Sequence, residues 1–183
     1  MSGHSGIGHN RGPAMDAGVS WRRHCWSKAR AALLPTLPLE VVRLRVKRAE
    51  ALGLAYRDYA TVRATTGRDV VALLFSSDAL RIRRSPTEMP SAHADKLAAI
   101  EACARLLAAH APLDPAALAQ ALPVFDAVTR APSTWARAPF ADFPALDRLP
   151  RDAVLLVGDG PHERPWVAAA RLAGYVPAER YFA

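Results

Sequence analysis

The hydrophobic and polar positions of the chain follow two periods, and together these predict a mixture of helices and strands. Helical spacing of apolar residues, with proline or glycine near the ends, predicts helices over 20–34, 38–52, 56–65, 91–110, 115–122 and 164–173. Short apolar runs at 69–75 and 153–157 predict two strands that are buried on both faces. Few strands in a mixed order indicate a helix-rich α/β or α+β fold, in which a basic helical N-terminal half precedes a small unit with few strands.

Two segments are less regular. Residues 42–47 alternate between apolar and basic positions, which also suits a strand with one basic face, but the Ala-Glu-Ala-Leu that follows at 49–52 favours a helix. Residues 123–150 contain five prolines together with Trp135, Phe140 and Phe143. We expect this segment to be mostly loop, with a short helical turn near 142–149.

The length of 183 residues predicts one domain with an appended tail. Residues 1–18 contain five of the ten glycines and no apolar cluster, so they are interpreted as a flexible tail. Residues 19–183 are interpreted as a single globular domain. The proline-containing break at 85–90 leaves open a boundary between two smaller parts.

The net charge of +7 is concentrated in the first half of the chain. Residues 1–90 hold 15 Lys and Arg against 7 Asp and Glu, and 21 of the 24 basic residues in the chain are arginines. The planar guanidinium binds phosphate oxygens in a forked geometry. An acidic macromolecule, above all nucleic acid, is therefore a candidate partner.

Segments that would place the protein in a membrane or a secretory pathway are not found. No window approaches eighteen apolar residues, and the first twenty positions have neither an apolar core nor a cleavage pattern. Cys25 and Cys103 are far apart and neither belongs to a C-x-x-C pair. We expect a soluble cytoplasmic protein with no membrane partner.

The basic half contains a pattern of small and apolar residues that resembles the helix-turn-helix of many DNA-binding proteins. Ala49, Gly53, Leu54, Tyr59 and Val62 have the offsets of that pattern, in which two helices pack closely across a tight turn. The resemblance implies that the second helix presents its other face to the major groove while the first contributes phosphate contacts. The nucleic-acid-binding candidates are Arg43, Arg45, Lys47, Arg48, Arg57, Thr61 and Arg63, with Arg48 standing where the pattern has an apolar residue.

The ends of the two predicted strands form a second candidate site. Ser76-Ser77-Asp78 follows the first strand and the loop from Gly158 to Glu163 follows the other, so both lie at one sheet edge if the strands are parallel neighbours. The sequence Val-Leu-Leu-Val-Gly-Asp-Gly at 154–160 resembles the late motif of haloacid-dehalogenase-type phosphatases. That resemblance implies that Asp159 helps to hold Mg²⁺ and that Ser76 or Ser77 is the phosphate-contacting hydroxyl after the second strand.

The catalytic aspartates of that family are not found. The family needs an early strand ending in D-x-D, whereas the nearest candidate, Asp126-Ala127-Val128, has valine at the position of the second aspartate. His162 and Glu163 are adjacent at a helix start, and neighbouring helical residues are expected to point in different directions. The chain has no G-x-S-x-G elbow and no regular metal-ligand spacing. We therefore predict no catalytic residue, no metal and no cofactor.

These patterns support three functional hypotheses. The first is a small non-catalytic protein, regulatory or accessory, whose arginine-rich helical surface binds nucleic acid. The second is a ligand- or phosphate-binding α/β protein, a degenerate phosphatase-like unit that uses Ser76, Ser77 and Asp159. The third is a protein–protein adaptor whose contact comes from Trp135, Phe140 and Phe143.

Overall fold

The structure is a computed structural model that describes residues 37–132 and 144–183. The chain divides into two compact units, 1–39 and 40–183, and almost all described residues belong to the second unit. The predicted tail at 1–18, the predicted helix at 20–34 and the aromatic residues proposed for an adaptor surface all lie outside the described residues.

The described part contains six α-helices and five strands. The helices are α1 (Leu39–Ala51), α2 (Tyr56–Thr66), α3 (Ser91–Ala98), α4 (Pro115–Ala121), α5 (Pro165–Ala170) and α6 (Ala178–Tyr181). The strands are β1 (Ala72–Ser76), β2 (Ala104–Ala109), β3 (Ala127–Arg130), β4 (Val154–Gly158) and β5 (Gly174–Pro177). Single 3₁₀ turns occupy Pro86–Glu88, Pro144–Leu146 and Arg151–Ala153.

The five strands form one parallel sheet in the order β3-β2-β1-β4-β5. The predicted strands β1 and β4 are therefore parallel neighbours, with Ala72 opposite Val154 and Phe75 opposite Val157. The chain builds the sheet outward from β1 through β2 to β3 and then crosses back to β4. Ligands in such sheets bind beyond the carboxyl ends of the strands at the point where the order reverses, which is here between β1 and β4.

The central strands are buried on both faces, as the apolar runs predict. On one face, Leu73 and Phe75 of β1 pack with Leu107, Leu155 and the buried residues of the helices α1 to α4 and α6. On the other face, Leu74 and Leu156 pack with Trp166 and Ala170 of α5. Alternate residues of each strand thus enter opposite cores, and the fold is a mixed α/β arrangement with one parallel sheet between helices.

Several predicted elements are confirmed. Residues 42–47 lie in α1, so the alternative strand with a basic face is wrong. Helix α2 buries Tyr59 and Val62 and ends at Gly67, whose φ of 71° is the left-handed conformation of a helix end. Helix α4 begins at Asp114, which accepts hydrogen bonds from the backbone N–H groups of Ala116 and Ala117.

The predicted long helix over 91–110 is wrong. Helix α3 ends at Ala98, Ala102 has a left-handed φ of 49°, and the apolar residues from Ala104 onward form β2. A short apolar run suits a helix or a strand, and here the hydrogen bonds of β2 with β1 and β3 select the strand. The short edge strands β3 and β5 were not predicted. Gly174 begins β5, while left-handed Arg171 ends α5.

The described helices are also informative about membranes. None of them combines the length and the apolar character that a membrane-crossing helix needs.

Candidate metal centre at the carboxyl edge of the sheet

Three loops meet beyond the carboxyl ends of β1, β2 and β4. They bring together Asp78, His110, His162 and Glu163, and one ligand atom from each of these residues lies within 4.8 Å of all the others. The first and last of the four residues are 85 positions apart in the sequence, and the parallel sheet brings them together. We refer to these four residues as the edge cluster.

The turn after β1 positions the first half of the edge cluster. Ser76 is buried, and its hydroxyl accepts a hydrogen bond of 3.1 Å from the backbone N–H of Ala79, which closes the turn that carries Asp78. The Ser77 hydroxyl accepts a 3.1 Å hydrogen bond from the backbone N–H of His110 and lies 3.0 Å from His110 Nδ1. Because Nδ1 is occupied by Ser77, Nε2 is the free ring nitrogen of His110.

The loop after β4 positions the second half. Glu163 is completely buried, and its Oε2 accepts hydrogen bonds from the backbone N–H groups of Asp159 (2.7 Å) and Gly160 (3.3 Å). A Cβ atom at Gly158 would collide with this carboxylate and with the Tyr175 ring. Glycine at 158 therefore leaves room for the Glu163 side chain to fold back against its own loop.

The atoms that face one another in the edge cluster do not form hydrogen bonds. His110 Nε2 lies 3.6 Å from Glu163 Oε1, and His162 Nε2 lies 3.8 Å from Asp78 Oδ2 and 4.0 Å from Glu163 Oε1. Both His110 Nε2 and Glu163 Oε1 are buried without a hydrogen-bond partner among the described residues. A buried polar atom without a partner is costly, and such atoms commonly mark the site of an ion or a water molecule.

The spacing and donor types of the edge cluster fit a divalent transition metal. Donor atoms about 2.1 Å from a tetrahedral Zn²⁺ lie about 3.4 Å apart. The three distances from imidazole Nε2 atoms to carboxylate oxygens are 3.6–4.0 Å and all four ligand atoms lie within 4.8 Å of one another, so the side chains would move slightly inward around an ion. Two imidazoles with two carboxylates form a mixed nitrogen and oxygen donor set, which suits Zn²⁺, Fe²⁺, Co²⁺ or Mn²⁺ better than Mg²⁺ or Ca²⁺. Ser77 would then hold the ring of His110 in place, as partners of metal-bound imidazoles do.

A cavity of about 250 Å³ opens onto the edge cluster. Its wall includes three cluster residues, the loop residues Arg83 and Asp159, and the apolar residues Ile82 and Leu113. Arg81 Nη1 lies 4.0 Å from Asp159 Oδ2, and the φ of 62° at Arg81 is a left-handed conformation that is uncommon for arginine. The Glu88 carboxylate accepts hydrogen bonds from the backbone N–H groups of Arg84 and Arg83, and these bonds lower the pKa of Glu88.

The ligand-binding residues predicted from sequence lie at this edge but have different contacts from those expected. Ser77 lines the cavity and supports His110, whereas Ser76 is engaged within its own turn. Asp159 is outside the edge cluster, since its carboxylate faces Arg81 and its backbone N–H supports Glu163. The phosphatase resemblance placed the serine after the second strand; the structure places it after β1, the first described strand.

The predicted nucleic-acid-binding residues are divided by the structure. Arg43 forms an ion pair with Glu40, and Arg48 contacts Asp69 and three backbone carbonyls. Arg57 and Thr61 are exposed on α2, while Arg63 is half-buried. Arg45 is also half-buried and Lys47 is exposed, both on α1. The arginine at the unusual position of the helix-turn-helix pattern, Arg48, thus connects α1 to the start of the sheet.

Sequence reasoning did not identify the edge cluster. Asp78 was part of a predicted strand end, but His110 was placed at the end of a helix. His162 and Glu163 were expected to point in different directions, and this is wrong: both reach the cluster, because the turn before α5 folds Glu163 inward. The available signal was a polar segment after each apolar run, with Asp78 after Ser76-Ser77, His110 directly after Ala109, and the loop after Gly158.

Comparisons of the chain with protein-family models, with curated proteins and with solved structures found no match in any of the three. The chemistry of the site is therefore interpreted from its own geometry.

Proposed function

We propose that this protein binds a divalent transition metal ion at the edge cluster, through Asp78, His110, His162 and Glu163. The observation that carries the proposal is a fully buried Glu163 whose Oε1 has no hydrogen-bond partner among the described residues and faces a ring nitrogen of His110 at 3.6 Å. A metal ion between these atoms would give each of them a partner. The proposal keeps the predicted ligand-binding edge and changes the residues that do the binding.

A network of direct ion pairs is the competing explanation for the edge cluster. Such a network would satisfy Glu163 through charge-assisted hydrogen bonds, which are typically about 2.7–2.9 Å long. The distances between imidazole nitrogens and carboxylate oxygens in the cluster are 3.6–4.0 Å, and all of them exceed that range. The spacing favours an ion in the middle over direct contact.

The loop after β4 supports the proposal because its bonds orient the Glu163 carboxylate before any ligand arrives. Two backbone N–H groups bind Oε2, so the carboxylate has one oxygen engaged and the other directed at the cluster. Ordering a ligand in advance reduces the entropy that binding would otherwise cost. The Gly158→Ala variant should lose this arrangement, since the added methyl group needs the space of the carboxylate.

Metal titration of the full chain tests the proposal. After treatment with a chelator and its removal, we expect one Zn²⁺ to bind the cluster by calorimetry and to raise the melting temperature. Titration with Co²⁺ should produce visible absorption bands that report the coordination geometry. The double variant His110→Gln/His162→Gln should bind each ion at least about tenfold more weakly.

His93→Gln is the matched control. The His93 ring stacks on Phe182 at 3.7 Å and the His110 ring lies 5.4 Å from that of Trp166, so each imidazole rests against an aromatic ring, but His93 is outside the edge cluster. This variant should bind metal as the wild-type chain does. Because the sequence has three further histidines at 4, 9 and 24, wild-type affinity in the double variant would place metal binding elsewhere and overturn the proposal.

Nucleic-acid binding by α1 and α2 stays a prediction. Its support is the exposed pair Arg57 and Thr61 on α2 and the basic side chains of α1. Its weakness is that Arg43 and Arg48 already have carboxylate partners. Duplex binding that falls steeply between about 50 and 200 mM salt and is reduced by Arg57→Ala would favour it.

A further inference from the structure

We infer that the cavity beside the edge cluster takes a small oxyanion, which becomes an additional ligand of the bound metal and pairs with the Arg83 guanidinium. The inference rests on the proposed metal site and names the class of ligand that this site accepts.

The edge cluster is enclosed on one side only. Glu163 is fully buried, whereas the His162 side chain is 37% exposed, and Asp78, His110 and His162 all line the cavity. Four protein ligands would complete a tetrahedral site, so an anion would enter as a fifth ligand on the exposed side of the cluster, an expansion that metal sites which act on other molecules can make. The cavity of about 250 Å³ has room for a small molecule at that position.

The charge of the cavity wall depends on the metal. The carboxylates of Asp78 and Glu163 balance the two positive charges of a divalent ion, and Asp159 lies opposite Arg81. Within the described residues, the guanidinium of Arg83 has no carboxylate at ion-pair distance. With a metal ion bound the wall therefore has an excess positive charge, and without the ion it has an excess negative charge. An anion should bind to the metal-loaded form alone.

Arg83 belongs to a loop whose backbone is held in place. The backbone N–H groups of Arg83 and Arg84 donate to the Glu88 carboxylate at 2.6 and 2.9 Å. Two residues earlier, Arg81 has a left-handed φ, and its Nη1 lies 4.0 Å from Asp159 Oδ2. Arg83 lines the cavity, and a guanidinium presents parallel N–H groups that match two oxygens of one oxyanion. Phosphate and carboxylate groups both have this geometry.

The test uses the full chain loaded with Co²⁺, with inorganic phosphate and acetate as the probes. We expect at least one of the two anions to change the visible spectrum of the bound Co²⁺ with saturation, and the metal-free chain to show no binding by calorimetry. The anion that binds more tightly identifies whether the ligand is a phosphoryl or a carboxylate compound. Arg83→Gln should weaken anion binding at least about tenfold while Co²⁺ binding is unchanged.

Arg84→Gln is the matched control, since Arg84 is next in sequence and shares the Glu88 contact through its backbone, but does not line the cavity. It should bind the anions as the wild-type chain does. If Co²⁺ binds and neither anion alters its spectrum, the inference is overturned and the proposed metal site stands. Equal anion affinity in Arg83→Gln and wild type would overturn the role of Arg83. If Co²⁺ itself fails to bind the cluster, both proposals fall.

Discussion

The Arg48–Asp69 contacts of the helix pair α1–α2 and the carboxyl edge of the sheet both contain charged side chains close to backbone groups, but they differ in how those groups are satisfied. In the helix pair, the Arg48 guanidinium donates to Asp69 and to the carbonyls of Val70, Glu101 and Ala102 at 2.9–3.1 Å. The Tyr59 hydroxyl donates to the other oxygen of Asp69 at 2.8 Å. At the edge, His110 Nε2 and Glu163 Oε1 face each other without a hydrogen bond.

The Arg48 guanidinium makes its contacts within the fold, whereas the facing atoms of His110 and Glu163 have no hydrogen-bond partner among the described residues. The Arg48 guanidinium, with hydrogen bonds to one carboxylate and three carbonyls, is explained by the contacts it makes. A fully buried carboxylate oxygen without a partner lowers the stability of the fold, so its presence needs another reason. Arg48, one of the arginines predicted to bind nucleic acid, therefore has structural contacts, whereas the four dispersed residues that meet at the sheet edge carry the proposed metal site.

The largest expected effect is on the helix pair. Arg48→Met removes the donors to three carbonyls and leaves Asp69 without its cation, so the free energy of unfolding should fall by about 2–3 kcal/mol. Urea unfolding at neutral pH measures it. Lys47→Met is the control, because the exposed neighbouring cation should change stability by less than about 0.5 kcal/mol. Similar values for the two variants would mean that the Arg48 contacts are not structural.

The next effect distinguishes the two serines of the edge. Ser77→Ala removes the hydroxyl that holds the His110 ring and should weaken Zn²⁺ or Co²⁺ binding about 10–100-fold, as loss of a partner of a metal-bound imidazole does elsewhere. Ser76→Ala removes a hydrogen bond within the turn and should lower stability by about 1 kcal/mol with a smaller change in metal affinity. The reverse order of affinities would show that turn geometry, and not the His110 contact, controls the site.

The sequence predicts the helix pair and two central strands, but not the edge strands of the sheet. The helices α1 and α2 and the buried strands β1 and β4 follow from local periodicity and from punctuation such as Gly67, so the helix pair and the neighbouring strand ends were both expected. The edge strands β3 and β5 have four residues each, and their identity depends on pairing with β2 and β4 across the sheet. The local sequence pattern of a short strand does not specify that pairing.

One error in the fold accounts for most of what was missed at the site. Interpreting 91–110 as a helix placed His110 at a helix end, when it is the residue that follows β2 at the same sheet edge as Asp78. Once β2 is a strand, the rule that ligands bind beyond the carboxyl ends points to His110 directly. The inward turn of Glu163 was not accessible by this route, because it depends on space left by Gly158 and on two backbone donors.

The smallest effect concerns the Tyr59 hydroxyl, which also donates to Asp69. Tyr59→Phe removes its hydrogen bond to Asp69 and should lower the free energy of unfolding by about 1 kcal/mol near neutral pH.

Burial, the hydrogen bond and the charge of Asp69 raise the pKa of Tyr59 above its ordinary value of 10.0. A raised pKa in the folded state means that the tyrosine's contribution is complete below pH 10 and is lost as the pH rises through the folded-state pKa. The advantage of the wild-type chain over Tyr59→Phe in urea unfolding should therefore be constant up to about pH 10 and narrow as the pH rises above it. Tyr175 and Tyr181, whose pKa values are also raised, are present in both chains and cancel in the difference. An advantage that stays constant as the pH rises above about 10 would show that Tyr59 is not held by Asp69.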